Sequence, residues 1–270
     1  MRVDQSFQAY GVRFGLRAND PAALARALST LPLGWQPAPE GEVDILYSLH
    51  VASPGLDSHH WLYEGATLLA SAPSLDGLLP ILQHHAELLT AWLARDRLFV
   101  HAGVVGWRGR AILIPGRSMT GKTTLVKALV EAGATYYSDE YALLDGAGHV
   151  HPYARPLYVR ADGAPYGQPV AVETLGGQGG TAPLPVGLVV VTHYQAGARW
   201  RPRRLTPGQA LLALMDNTVA AQGDPAHSMP ILRQVALHAL TLRGQRGAAA
   251  ATARALLRRL DRLTSSSTNA

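Results

Sequence analysis

Gly116-Arg117-Ser118-Met119-Thr120-Gly121-Lys122-Thr123 is the stretch from which the rest of this chain is read. It fits the pattern Gly-x-x-x-x-Gly-Lys-Ser/Thr. Its surroundings fit as well: the apolar run Ala111–Pro115 enters it, and a helical stretch beginning Lys122-Thr123-Thr124-Leu125 leaves it. Each residue type answers a chemical need. Glycines let the backbone curl until successive N–H groups point at phosphate oxygens, at the positive end of the following helix. Lys122 is a compact charge on a flexible stem, able to follow the β- and γ-phosphates. Thr123 offers a hydroxyl to Mg²⁺. The expected ligands are ATP and Mg²⁺, gripped by Gly116 to Thr124.

Lysine usage points the same way. Of the 24 basic side chains only Lys122 and Lys127 are lysine. Lys122 stands where a flexible point charge is needed, and Lys127 reads as an ordinary exposed helix residue. With 47% apolar and 16% charged residues, the 270-residue chain has the makings of a folded core rather than of a disordered tail. The lack of cysteine excludes disulfides, a thiolate nucleophile, an iron–sulfur cluster and a cysteine zinc site. No apolar segment occupies the first twenty residues, so no secretory signal is expected. The longest uncharged run, Thr174–Ala198, is interrupted by Gly176, Gly177, Gly179, Gly180, Pro183 and Pro185, which argues against a membrane span. A cytoplasmic protein is expected.

The formal charge of +5 is unevenly spread. Between Arg199 and Arg262 eleven arginines face only Asp216, Asp224 and Asp261, and the rest of the chain is slightly acidic. No nucleic-acid reading motif accompanies this basic quarter, and aromatics near its arginines are few, so a nucleic-acid partner is not expected.

Along the chain, Gln8–Arg17 reads as a strand and Pro21 opens a helix behind Asp20. Val43–Val51 and His60–Ser71 read as two further strands, and Leu75–Arg95 as a long amphipathic helix. These make a small N-terminal α+β domain, residues 1–96. The second domain, residues 97–263, begins with two apolar runs, Leu98–Val105 and Arg110–Pro115, joined as a hairpin. After the glycine-rich loop a helix runs from Lys122 to Ala132. Thr135–Leu144 and His149–Val159 are strand-like, and Gly163–Val186 reads as a long surface loop. Leu188–His193 is a buried strand. Pro207–Ala221, Leu232–Leu242 and Ala248–Leu263 are helical, and residues 264–270 are expected to be disordered. The fold class is α/β.

An adjacent pair of acids, Asp139 and Glu140, stands at the end of a strand-like stretch, Asp139 being 17 residues beyond Lys122. Two adjacent carboxylates can divide the labour of phosphoryl transfer: one takes the proton of the acceptor hydroxyl, and the other serves the metal.

His101-Ala102-Gly103-Val104-Val105, followed by Gly109 to Asp145, resembles the catalytic domain of HPr kinase/phosphorylase and its relatives. His101 precedes Gly116 by 15 residues and Asp139 follows Lys122 by 17, the spacings of that family. The hairpin before the loop is shared with ATP-dependent phosphoenolpyruvate carboxykinases. The resemblance is clear over about Phe99 to Leu157 and looser to about residue 260. It implies a P-loop kinase domain with a mixed, partly antiparallel sheet. It further implies that Lys122 and Thr123 bind phosphates and Mg²⁺, that Asp139 is the general base toward a serine hydroxyl, and that His101 lies beside it. Glu140 stands at the family's second Asp, a metal position. The bifunctional enzymes carry a Glu-Ile-Arg-Gly signature in the loop after the acidic pair; the nearest stretch here, Glu173-Thr174-Leu175-Gly176, lies farther along and lacks the arginine. That departure resembles the divergent kinase-like branch, some of whose members phosphorylate serine on peptides. The acceptor implied is a peptide, a protein or a small-molecule hydroxyl. A non-catalytic ATP-binding regulator is the alternative of a different class. Relatives of this family form hexamers, so a homo-oligomer is compatible with the resemblance.

Three further residues are candidate substrate or phosphate contacts: Arg155, one strand beyond the acids, Glu173, and Arg199, which opens the densest basic run. His149 and His151 alternate on one strand without an evident third ligand, which favours packed or surface histidines over a metal site.

Overall fold

The structure, a computed structural model, describes residues 4–39, 41–53, 58–117, 120–159, 167–221 and 223–267. Contacts divide the chain after Asp96 into two compact units, each with its own sheet and core. The fold is mixed α/β.

The first unit has a six-stranded sheet and two helices. Its strands are β1 (Gln5–Ala9), β2 (Val12–Ala18), β3 (Gln36–Pro37), β4 (Ile45–His50), β5 (His60–Glu64) and β6 (Thr67–Ala72), in the order β3-β1-β2-β4-β5-β6. Only β2 and β4 run parallel, because α1 (Pro21–Leu28) crosses between them. Asp20 starts that helix by accepting from the Ala23 amide at 2.8 Å, with Pro21 in its first turn. Phe7, Phe14, Leu16, Tyr47 and Leu62 alternate inward and pack with Leu78 and Leu82 of α2 (Leu75–Leu93). The stretch read as one strand over Gln8–Arg17 is a hairpin. Tyr10 (φ 51°) and Gly11 (φ 81°) form its two-residue turn, and a tyrosine in the left-handed region gives little sequence warning. His60–Ser71 is likewise two strands, turned at Gly65.

The second unit builds its sheet from β7 (Leu98–Trp107), β8 (Arg110–Pro115), β10 (Tyr141–Leu144), β11 (His149–His151), β14 (Leu184–Tyr194), β15 (Arg203–Arg204) and β16 (Leu240–Arg246), with β9 (Thr135–Ser138) beside one half of β7. β7 and β8 are an antiparallel hairpin turned at Arg108-Gly109, whereas β8, β14 and β16 run parallel. β11 pairs with both β10 and β14, so strands β11, β10, β7, β8 and β14 close into a ring. β12 (Leu157–Val159) and β13 (Gln168–Val170) form a separate ribbon.

Helices cover both faces of this sheet. α3 (Lys122–Glu131) and α6 (Ala249–Ser267) share one core with Ile112, Ile114, Leu188, Val190 and Leu242. α4 (Pro207–Met215) and α5 (Pro225–His238) share the other, with Val100, Val104, Leu113 and Val189. Burial of Leu125, Val126 and Leu129 on α3 contributes about 1.5–3 kcal/mol each. At Gly103 of β7 a β-carbon would lie 2.5 Å from Val126 Cγ2, so only glycine lets α3 come down this far. α6 is fastened by Asp261, which accepts from the Trp107 indole at 2.8 Å and pairs with Arg108 at 2.9 Å.

Further expectations change in this unit, where His149–Val159 is likewise two strands of different sheets, β11 and β12. Thr135–Leu144 is broken into β9 and β10 at Asp139-Glu140, since the long β7 pairs with each in turn. Leu232–Leu242 is the end of α5 followed by the start of β16; a short apolar run in a central parallel strand carries no periodicity to separate it from a helix. The segment Gly163–Val186, where described, holds β13, a single 3₁₀ turn (Val172–Leu175) and the start of β14. The disorder expected from residue 264 onward is not found at 264–267, which continue α6. There the Thr264 and Ser265 hydroxyls donate back to the Leu260 and Asp261 carbonyls. Residues 268–270 lie outside the described residues.

Gly103→Ala tests the contact that seats α3. Overpacking against Val126 is expected to cost about 1–3 kcal/mol, read as a lower midpoint of denaturant unfolding; an unchanged midpoint would show that α3 can shift without penalty.

Candidate functional site

Three parallel strands point their carboxyl ends the same way. β8 runs into the Gly116 loop, β14 ends at Tyr194 and β16 at Arg246, so the loop lies outside the carboxyl ends of β8, β14 and β16, where α/β sheets bind ligands. The loop is tied down at its start, where the Gly116 amide donates to the His101 carbonyl at 3.2 Å. A β-carbon on Gly116 would lie 2.8 Å from Thr120 Oγ1. Gly121 caps α3 in the left-handed region (φ 83°). Among the described residues no side chain caps the amides at the head of α3, which suits an anion site. Ser118 and Met119 lie outside the described residues. Thr124 is exposed in the first turn.

Lys122 is buried, and its Nζ donates to the Arg117 carbonyl at 2.9 Å, a carbonyl that also accepts from Thr120 Oγ1. Burial pulls the ammonium below its ordinary pKa, and the Glu140 and Asp139 carboxylates oppose that pull.

The acids come from the break between β9 and β10. Ser138 Oγ accepts from the Glu140 and Tyr141 amides, at 3.2 and 3.1 Å, and the Glu140 carbonyl accepts from the Ala102 amide. This irregularity in the pairing with β7 aims the two carboxylates apart. Asp139 is 8% exposed, and both its oxygens are engaged: Oδ2 by Thr123 Oγ1 at 2.9 Å, Oδ1 by the Tyr136 hydroxyl at 3.1 Å. Burial raises its pKa above the usual carboxylate value, with the two hydrogen bonds opposing and Glu140 adding to the rise. Glu140 is more open and pairs with His101 Nε2 at 3.3 Å. That hydrogen bond holds its carboxyl below the usual value against partial burial, helped by the charge on Lys122. His101 and Tyr141 are register partners across β7 and β10, their rings 5.7 Å apart.

The structure thus brings Lys122, Thr123, Asp139, Glu140 and His101 together. Arg155 belongs with them: half-buried, it acts electrostatically on Tyr136, Asp139 and Glu140. Glu173 and Arg199 do not join the cluster through any hydrogen bond or ion pair found among the described residues. Glu173 is exposed on the 3₁₀ turn, and Arg199 is exposed beyond the end of β14. Arg203 and Arg204, from the same basic run, form the edge strand β15, where Arg203 sits directly across from Arg243. His149 and His151 flank Asp145, the latter at 2.9 Å, and no group of three metal-type ligands occurs among the described residues.

One cation was missed. Arg246 is 2% exposed; its Nη2 donates to the Gly121 carbonyl at 2.6 Å and its Nη1 to the Gly247 carbonyl at 3.2 Å. The guanidinium lies 5.6 Å from the centre of the Tyr194 ring, and Nε is buried without a partner among the described residues. The signal is an arginine at the carboxyl end of a parallel strand, a strand whose first three residues are assigned to the helix Leu232–Leu242 in the sequence reading.

The oxygen donors of Thr123 and Asp139 suit Mg²⁺, and the glycines with the buried lysine suit a phosphate chain. No protein-family model matches the chain, and a search of curated proteins returns no match. Among the described residues no helix is long and apolar enough to cross a membrane.

Burial of Asp139 gives a pH signature in metal-free buffer. A carboxyl whose folded pKa is raised contributes its full stability below the unfolded value of 3.8 and loses it as pH rises through the folded value. Asp139→Asn, neutral throughout, should therefore melt above the wild type at pH 7, and the gain should shrink toward pH 4. An equal shift at both pH values would show that ionisation of Asp139 carries no such cost.

Proposed function

We propose that the chain is a cytoplasmic, ATP-dependent kinase with a P-loop domain of the HPr kinase type. It moves the γ-phosphoryl group to a hydroxyl, foremost a serine of a peptide or protein. The observation that carries this reading is the Thr123–Asp139 hydrogen bond at 2.9 Å. It joins the end of the phosphate loop to the acidic pair, with Lys122 beside both carboxylates and His101 on the second. A regulator that only senses ATP would need the loop but would have no use for a His101–Glu140 pair beside it.

The contacts favour dividing the carboxylates differently from what the family resemblance implies. Asp139 is buried with both oxygens occupied, one by the hydroxyl that serves the metal, so it belongs on the metal side. Glu140 is accessible and backed by His101, which suits the group that receives the acceptor's proton. Mg²⁺, when bound, would neutralise charge on the β- and γ-phosphate oxygens from the Thr123–Asp139 side. Lys122 would exchange the Arg117 carbonyl for phosphate oxygen and stabilise the charge on the transferred group. The acceptor oxygen bonds to the γ-phosphorus, the bond to the bridging oxygen of ADP breaks, and the hydroxyl proton passes to Glu140. Arg155 adds positive charge near the same acids, which favours the ionised form of each.

Transfer from γ-labelled ATP, screened over serine peptides, free serine and lysate, tests the reading. Lys122→Ala should abolish it. Glu140→Gln should slow it about 10²- to 10⁴-fold with an unchanged Mg²⁺ requirement. Asp139→Asn should raise the Mg²⁺ concentration needed about 10- to 100-fold while ATP still binds. Normal transfer by both acid variants would remove the acidic pair from the chemistry.

A further inference from the structure

The acids and His101 lie on the β7 side of β8, so a nucleotide held by the loop would place its base on the other side. β7 and β14 flank β8. His101 lies on β7, and Asp139 and Glu140 lie at the break between the two strands that pair with it, so the reactive γ end points toward β7. A triphosphate laid along the loop then leads away toward β14 and β16. Tyr194 and Arg246 stand there as register partners, at the last positions of their strands.

Both reach the loop. A β-carbon on Gly121 would lie 3.6 Å from Tyr194 Cβ and closer still to the Arg246 guanidinium. Arg246 is pinned to the Gly121 carbonyl and backs the tyrosine ring at 5.6 Å. Tyr194 itself is 56% exposed, a large aromatic left in solvent beside a phosphate loop. A flat ring held from behind by a fixed guanidinium loses little freedom when a second flat ring stacks on it.

We propose that Tyr194, braced by Arg246, is the stacking platform for the base of the bound nucleoside triphosphate. This rests on the nucleotide-binding reading above and adds the ligand's other end. The platform recognises an aromatic base through its face, so it separates nucleotides from inorganic polyphosphate.

The test compares ATP with inorganic tripolyphosphate, which has the phosphate chain and no base. Binding of each is measured calorimetrically to wild type, Tyr194→Ala and Tyr194→Phe, with melting curves confirming the fold. Base–aromatic stacking predicts that Tyr194→Ala weakens ATP about 5- to 100-fold, leaves tripolyphosphate within about two-fold of wild type, and that Tyr194→Phe keeps most of the ATP affinity. Wild-type ATP affinity in Tyr194→Ala, or equal loss of both ligands, overturns the platform and leaves the loop as the phosphate site. A wild-type protein that binds neither ligand overturns the nucleotide reading, and the platform with it.

Discussion

The hydrogen bond from Thr123 to Asp139 joins two segments that come from opposite sides of one hairpin. Thr123 follows the loop at the end of β8, and Asp139 sits at the break in the pairing of β9 and β10 with β7. A carboxylate this buried would be costly alone, because desolvation penalises its charged form. Two hydroxyl donors, from Thr123 and Tyr136, offset that cost, and hydrogen bonds to a charged acceptor contribute about 1.5–3 kcal/mol each. The Thr123 hydroxyl could not reach Asp139 unless α3 lay close on β7, which Gly103 permits, whereas Tyr136 lies on β9 in the same segment as Asp139. Loop, helix, hairpin and acid are thus mutually dependent, and their arrangement is set by the protein's own packing.

A second fixing point acts on the opposite flank. Arg246 reaches from the end of β16 to the Gly121 carbonyl, so the turn before Lys122 is held between an acid-bearing break on one side and a buried arginine on the other. The two anchors differ in kind. Asp139 accepts from side-chain hydroxyls, whereas Arg246 donates to backbone carbonyls, and together they restrain both ends of the helix cap. What stays unrestrained is Lys122, whose one described hydrogen bond is to a carbonyl of its own loop.

The sequence was most legible where function constrains spacing. The loop, the His101 and Asp139 intervals and the β7–β8 hairpin are local patterns, and the structure brings those residues together. It was least legible where tertiary pairing decides. Leu240–Arg246 is a strand because β14 and β15 lie on either side of it, and seven residues with an apolar start carry no periodicity to announce that. Missing the strand meant missing Arg246, and the expected cation was placed in the Arg199 run instead. Asp139 and Glu140 were found by position, but which of them faces Thr123 depends on a break in strand pairing that composition does not encode. The continuation of α6 through Thr264 and Ser265 rests on hydroxyls bonding back to the helix, an outcome that a polar tail does not advertise.

Arginine and lysine divide this protein's positive charge by mechanical need. Arg246 does a fixed job, and its planar fork reaches two backbone carbonyls while its face supports a tyrosine, none of which an ammonium could do from one rotamer. Lys122 has the opposite task. Its ammonium sits buried on the Arg117 carbonyl, with burial lowering its pKa and two carboxylates raising it. On the proposed nucleotide-binding reading, a charge held by one carbonyl and balanced by nearby acids would swing to a phosphate oxygen by exchanging a single partner. The basic surplus of the last quarter, spread over exposed arginines and the β15 edge, has no part in that exchange. In a chain with 22 arginines, the buried position at the head of α3 is one of only two that are lysine.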